Sequence, residues 1–193
     1  QRILNEEKML PRNKDAVRMM NNYETIWVMD ESLSYEPSSA DSVASIAAAK
    51  HQDPMEVVMD TMAEGTPLLV LFGRYAGDLE GQRKLIEDPR SVFGLSDGGA
   101  HCGVLVDASV PTYMLTYFSR DRKRGPTMSP EFIVHKMTRD TAELYGLHDR
   151  GLLQAGFKAD LNIIDYDNLK LLKPEMVYDL PGGGKRLVQG ADG

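Results

Sequence analysis

At 193 residues the chain is long enough for one sizeable hydrophobic core and is expected to bury about 70% of its unfolded surface. Its 42% apolar and 26% charged content is ordinary for a globular protein. A net charge of −7 excludes a phosphate-gripping face, which needs clustered Lys and Arg, so no nucleic-acid partner is expected.

The chain opens on the polar stretch Gln1-Arg2-Ile3-Leu4-Asn5-Glu6-Glu7-Lys8, with no signal-peptide pattern. It does not begin with Met and stops at Gly190-Ala191-Asp192-Gly193 with no predicted element to tie that end down, so both ends read as cuts. Thr25-Ile26-Trp27-Val28-Met29 predicts a short buried strand, and a helix is expected from about 40 to 50 with Val43, Ile46 and Ala47 on one side. The next helix has the clearest start signal. Asp53 is its N-cap, Pro54 its first residue and Glu56 the reciprocal capping partner. Met55, Val58, Met59 and Met62 fall at i, i+3, i+4 and i+7 and predict one buried stripe, closed by Gly65.

Leu68-Leu69-Val70-Leu71-Phe72 predicts a strand buried on both faces. A polar helix from about 79 to 87 ends before Pro89, and Ser91-Val92-Phe93-Gly94-Leu95-Ser96 predicts a strand leading into a glycine-rich loop. Cys102 is the only cysteine, which excludes an internal disulfide and points to a reducing, cytoplasmic setting. A longer helix is expected over 110–120. The basic run Arg120-Asp121-Arg122-Lys123-Arg124 reads as its solvated C-terminal end, complementing the helix dipole. Ser129-Pro130-Glu131 opens another helix, continued over 138–145 to Gly146. No apolar run approaches the ~20 residues of a membrane span.

Alternating helix and strand signals predict an α/β fold with a parallel sheet. The character changes near residue 150. A turn-rich stretch from Gly151 leads to Leu161-Asn162-Ile163-Ile164-Asp165, which alternates like an edge or sandwich strand, and Pro181-Gly182-Gly183-Gly184 reads as a flexible loop.

Asp97 falls at the C-terminal tip of a predicted strand, where parallel α/β folds gather their catalytic groups. A carboxylate there suits both metal ligation and proton transfer from metal-bound water. Asp-Gly is equally a common turn pair, and the local pattern alone favours an aspartate capping its own turn. The longer context reads otherwise. Gly94-Leu95-Ser96-Asp97-Gly98-Gly99-Ala100-His101, followed by Asp107-Ala108-Ser109 and Pro111-Thr112-Tyr113, resembles the last barrel strand and loop of the amidohydrolase superfamily. Within it, the N-acyl-D-amino-acid deacylase (D-aminoacylase) branch is the most similar. Thr138-Arg139-Asp140-Thr141-Ala142-Glu143-Leu144-Tyr145-Gly146-Leu147, then Asp149-Arg150-Gly151, Gly156 and Ala159-Asp160-Leu161, resemble the passage from barrel to small β-domain.

This resemblance implies the C-terminal portion of a TIM-type (β/α)8 barrel over 1–150, followed over 151–193 by the start of a small β-sandwich domain. It implies that Asp97 contacts zinc or another divalent metal, one or two ions, deprotonates the hydrolytic water and returns the proton to the leaving amine. Gly98, Gly99 and His101 would line the substrate, a small N-acyl amino acid. For His101 a plain loop histidine is an equal reading. The family's His-x-His pair is absent, and the four histidines (His51, His101, His135, His148) have no ligand spacing to a partner. His51 reads as a helix-end residue, His135 as partly packed and His148 as a loop residue. Most ligands are therefore expected outside this chain, and the exposed strand edges of a partial barrel invite self-association into a homo-oligomer. Hydrolysis of a linear amide is the leading expectation. A cyclic-amide hydrolase of hydantoinase or dihydroorotase type, or an inert fragment, are the alternatives. Cys102 beside His101 lacks an orienting third group, and Gly81-Gln82-Arg83-Lys84 lacks the phosphate-loop pattern.

Overall fold

The computed structural model describes residues 21–29, 34–70, 77–94 and 101–193. The chain divides into two compact units, Gln1–Gly81 and Gln82–Gly193.

In the first unit the apolar triplet Ile26–Val28 forms β1 and pairs with β2 (Leu68–Val70), Trp27 lying opposite Leu69. Two helices, α1 (Val43–Lys50) and α2 (Pro54–Ala63), fill the connection. Both start as the sequence dictates. Ser42 Oγ accepts the Ser45 N–H at 3.2 Å, and Asp53 Oδ1 accepts the Met55 N–H at 2.8 Å just ahead of Pro54. His51 ends α1 in the left-handed region at φ 52°. Ile26, Val43, Ala47 and Val57 make the buried core, with Val28, Ile46, Val58, Leu68 and Val70 packed against it. Trp27, only 2% exposed, satisfies its indole N–H on the Ser38 carbonyl at 3.1 Å.

Two expectations fail in this unit. The strand pair is antiparallel, not parallel. The two helices expected between the strands, α1 and α2, return the chain so that β2 runs against β1. The methionine stripe of α2 is also not its buried face. Met59 and Met62 are 60% and 62% exposed, whereas Val57 and Thr61, one turn apart, are buried. α2 rests on α1 and β2 through this narrower Val57–Val58–Thr61 face, which leaves the methionines on its flank. β2 is half-buried, with β1 its one partner among the described residues.

Helix α3 (Glu80–Glu87) follows. Its start is held by acceptors: Asp78 Oδ1 takes the Glu80 N–H at 2.8 Å, and the buried Glu36 takes the Leu79 N–H at 2.6 Å through Oε1. Residues 91–94 are irregular where a strand was expected, and the remainder of that predicted strand, 95–96, lies outside the described residues. In the second unit α4 (Val110–Tyr113) runs straight into a π-helical stretch (Met114–Asp121). α5 (Pro130–His135) likewise passes through a π-helical segment (Lys136–Asp140) into α6 (Thr141–Leu144). Hydroxyls favour these wide turns by bonding back to carbonyls a turn earlier: Thr116 to Thr112, Thr138 to Val134 and Thr141 to Lys136. Ser129 caps α5 by accepting the Phe132 N–H at 3.1 Å. Met114, Leu115, Phe118, Met128, Ile133, Ala142 and Leu169 are buried here.

The end of the chain is β-structured. β3 (Lys170–Leu171) pairs with β6 (Ala191–Asp192), and β4 (Glu175–Leu180) with β5 (Gly184–Val188), both antiparallel. The C-terminus is therefore tied down by β6, contrary to expectation. Pro181–Gly183, the stretch read as a flexible loop, forms a 3-10 turn inside the β4–β5 hairpin. The strand expected over 161–165 is absent: these residues are irregular, and Ile163 is fully exposed. Alternation alone does not make a strand when no neighbouring edge supplies hydrogen bonds. Mixed helix and strand content is compatible with an α/β fold, and no barrel is shown among the described residues. Nor is any described helix long and apolar enough to cross a membrane.

Candidate functional site

Asp97, Gly98 and Gly99 lie outside the described residues, which resume at His101. The structure describes the two segments on either side of them, both within the second unit.

The leading flank begins where α3 ends. Asp88, Arg90 and Ser91 fold a tight turn around Pro89. Ser91 N–H donates to the Asp88 carbonyl at 3.1 Å, and its hydroxyl reaches the carbonyls of Leu85 (2.5 Å) and Asp88 (2.9 Å). The Asp88 carboxylate takes the Arg90 guanidinium at 2.9 and 2.7 Å and the Arg90 N–H at 2.8 Å. These bonds, with a smaller contribution from the Lys136 charge, hold its pKa down at about 2.

Lys136 is the functional-looking residue that sequence reasoning missed. Only 3% exposed, it extends its ammonium to the Asp88 carbonyl at 2.9 Å and to the Ser91 carbonyl. Asp140, one turn along, supplies a carboxylate at 3.8 Å and also faces His135 Nδ1 at 3.0 Å. A signal was present. Lys136 follows the fully buried Ile133 by three positions, so it falls on the apolar line of its helix, where a cation needs built partners. His135, expected to be partly packed, is exposed instead, because the buried line passes through Ile133 and Lys136.

The trailing flank starts with His101 in the left-handed region at φ 49°. Its carbonyl accepts the N–H groups of Val104 (2.8 Å) and Leu105 (3.0 Å), closing a tight turn, and its side chain is exposed. The next carbonyl, that of Cys102, accepts the Leu187 N–H of β5 at 2.6 Å.

The basic run after α4 is less solvated than expected. Arg122 is buried, donates to the Pro126 carbonyl at 3.2 Å and stands over the Phe118 ring at 5.8 Å. Arg120 reaches the carbonyls of Tyr166, Asp167 (3.3 Å) and Leu169 (2.7 Å). With the Ser119–Tyr166 hydroxyl pair at 2.6 Å, it ties this helix to the chain that enters β3.

Among the described residues no group of three or more His, Cys, Asp or Glu is placed to hold a metal ion. His51 ends α1, His135 faces Asp140, and His101 and His148 are exposed in turns. The described donors alone do not make up a metal centre.

The profile of the amidohydrolase family matches residues 13–188, which include the glycine-rich loop and the 138–161 stretch. No curated protein and no solved structure matches the chain. Members of that family are hydrolases that commonly use divalent metals. Covering nearly the whole chain, the match establishes that this protein belongs to the amidohydrolase family.

Proposed function

We propose that this chain carries the proton-transfer loop of an enzyme that hydrolyses linear amides, with N-acylated D-amino acids as substrates. One observation carries the reading: the run Gly94 to His101, with Asp107-Ala108-Ser109 after it, occurs within a chain matched to the amidohydrolase family. Asp97 is the general base. It takes a proton from water as the oxygen attacks the acyl carbon, and gives it to the nitrogen as the C–N bond breaks. A carboxylate and a free amine leave, with one water consumed. Gly98 and Gly99 let the backbone approach the substrate closely, and His101 faces it. A divalent metal, zinc or a similar ion, would supply a more acidic water and a polarised carbonyl. Asp97 would be its ligand from this chain, and most others would come from residues outside it. In this reading residues 1–150 are the last units of the barrel, and 151–193 begin the return to a small β-domain.

That no donor cluster occurs among the described residues favours a second reading, an inert chain. Incubating the protein, with the upstream sequence and zinc present, with N-acetyl-D-amino acids, hydantoin and dihydroorotate separates these. Release of free D-amino acid without ring opening is expected. Ring opening alone would replace the substrate class, and no turnover of any of the three would favour the inert reading.

A further inference from the structure

We propose that Met59 and Met62, on the flank of α2, form a methionine oxidation site that hydrogen peroxide reaches and that takes up oxygen without loosening the fold. The site is independent of the Asp97 reading. A methionine line at i, i+3, i+4 and i+7 ordinarily belongs to the buried face of a helix. In α2 that task falls to Val57, Val58 and Thr61 instead. Met59 and Met62, neighbours three positions apart, are left 60% and 62% exposed, while Met55 at the head of the line is half-buried. Met29, Met114 and Met128, by contrast, are 7%, 3% and 5% exposed. Oxidation needs a peroxide oxygen against the sulfur. The sulfur lone pair attacks that oxygen, the O–O bond breaks, and the proton of the attacked oxygen passes to the other, which leaves as water. Sulfur loses two electrons and the peroxide gains two. The sulfoxide formed is polar and needs hydration, which an exposed flank supplies and a packed core does not. Because Met59 and Met62 lie off the face that packs on α1 and β2, their oxidation removes no core contact.

The test is treatment of the protein with hydrogen peroxide, each sulfoxide being located against time by tandem mass spectrometry. Met59 and Met62 should oxidise on the order of tenfold faster than Met29, Met114 and Met128. Equal rates for the two sets, or faster oxidation of the buried one, would overturn the site. Fold sparing is read separately in the double variant Met59→Gln/Met62→Gln, which places neutral polar side chains of similar length at these two positions and leaves every other methionine reduced. Its urea midpoint should match that of the wild type. A lowered midpoint, or failure of the variant to fold, would show that the two thioethers carry packing and would overturn the claim that oxidation there spares the fold.

Discussion

Gly151 shows how a single residue position can be dictated by its neighbours. It takes φ +82°, and a Cβ there would stand 2.9 Å from both the Arg139 Cα and the Thr138 carbonyl oxygen. The Asp149-Arg150-Gly151 turn presses on the π-helical segment, and only glycine fits. Gly151→Ala should therefore cost roughly 1–3 kcal/mol, read as a lower denaturation midpoint; an unchanged midpoint would show that the turn can relax. Asp88 makes a prediction of a different kind. Its folded pKa, about 2, lies below the ordinary value of 3.8, so the carboxylate's contribution to stability is complete above about pH 4 and is lost as pH falls through about 2. Asp88→Asn should flatten that part of the acid-unfolding curve, and a curve that keeps its wild-type slope between pH 4 and 2 would assign the acid sensitivity elsewhere. At this scale local signals were readable. The Asp53–Pro54 and Ser129–Pro130 helix starts follow from residues adjacent in sequence. The partners of Lys136 were not readable, because Asp88 and Ser91 lie more than forty positions away.

The helices of this protein were easier to foresee than the faces they bury. Periodicity picked out the Met55–Val58–Met59–Met62 line, yet α2 turns Val57 and Thr61 inward, because packing depends on where α1 and β2 lie. Val57→Ala should lower stability by about 2 kcal/mol, whereas Met62→Ala should stay within about 0.5 kcal/mol. Equilibrium urea unfolding ranks the two, and the reverse order would restore the methionine face as the buried one. Ser129→Ala, which removes the α5 cap, should cost about 1 kcal/mol by the same measurement; no loss would show that the π-helical continuation holds this helix without its cap. Strands were less legible. The 161–165 stretch alternates correctly but has no edge to join, while β4 and β5, less conspicuous in sequence, close as a hairpin with Asp179 and Arg186 paired across it at 2.8 and 2.7 Å.

Across the whole molecule, what the sequence revealed was the family. The Asp97 loop and the 138–161 stretch carried the resemblance, and the profile match over 13–188 bears out the amidohydrolase assignment. The strand-pairing direction was not legible, because it depends on how the intervening helices pack against the strands rather than on the strands themselves. The donor set for a metal centre was not found among the described residues either. The proposed chemistry rests on one carboxylate, that of Asp97, which lies outside the described residues. The most direct measurement is the rate at which Asp97→Asn, in the full protein with zinc, releases D-amino acid from its N-acetyl derivative. A loss of at least a thousandfold with the fold intact is expected, about 4 kcal/mol of transition-state stabilisation. Turnover near the wild-type rate would contradict it.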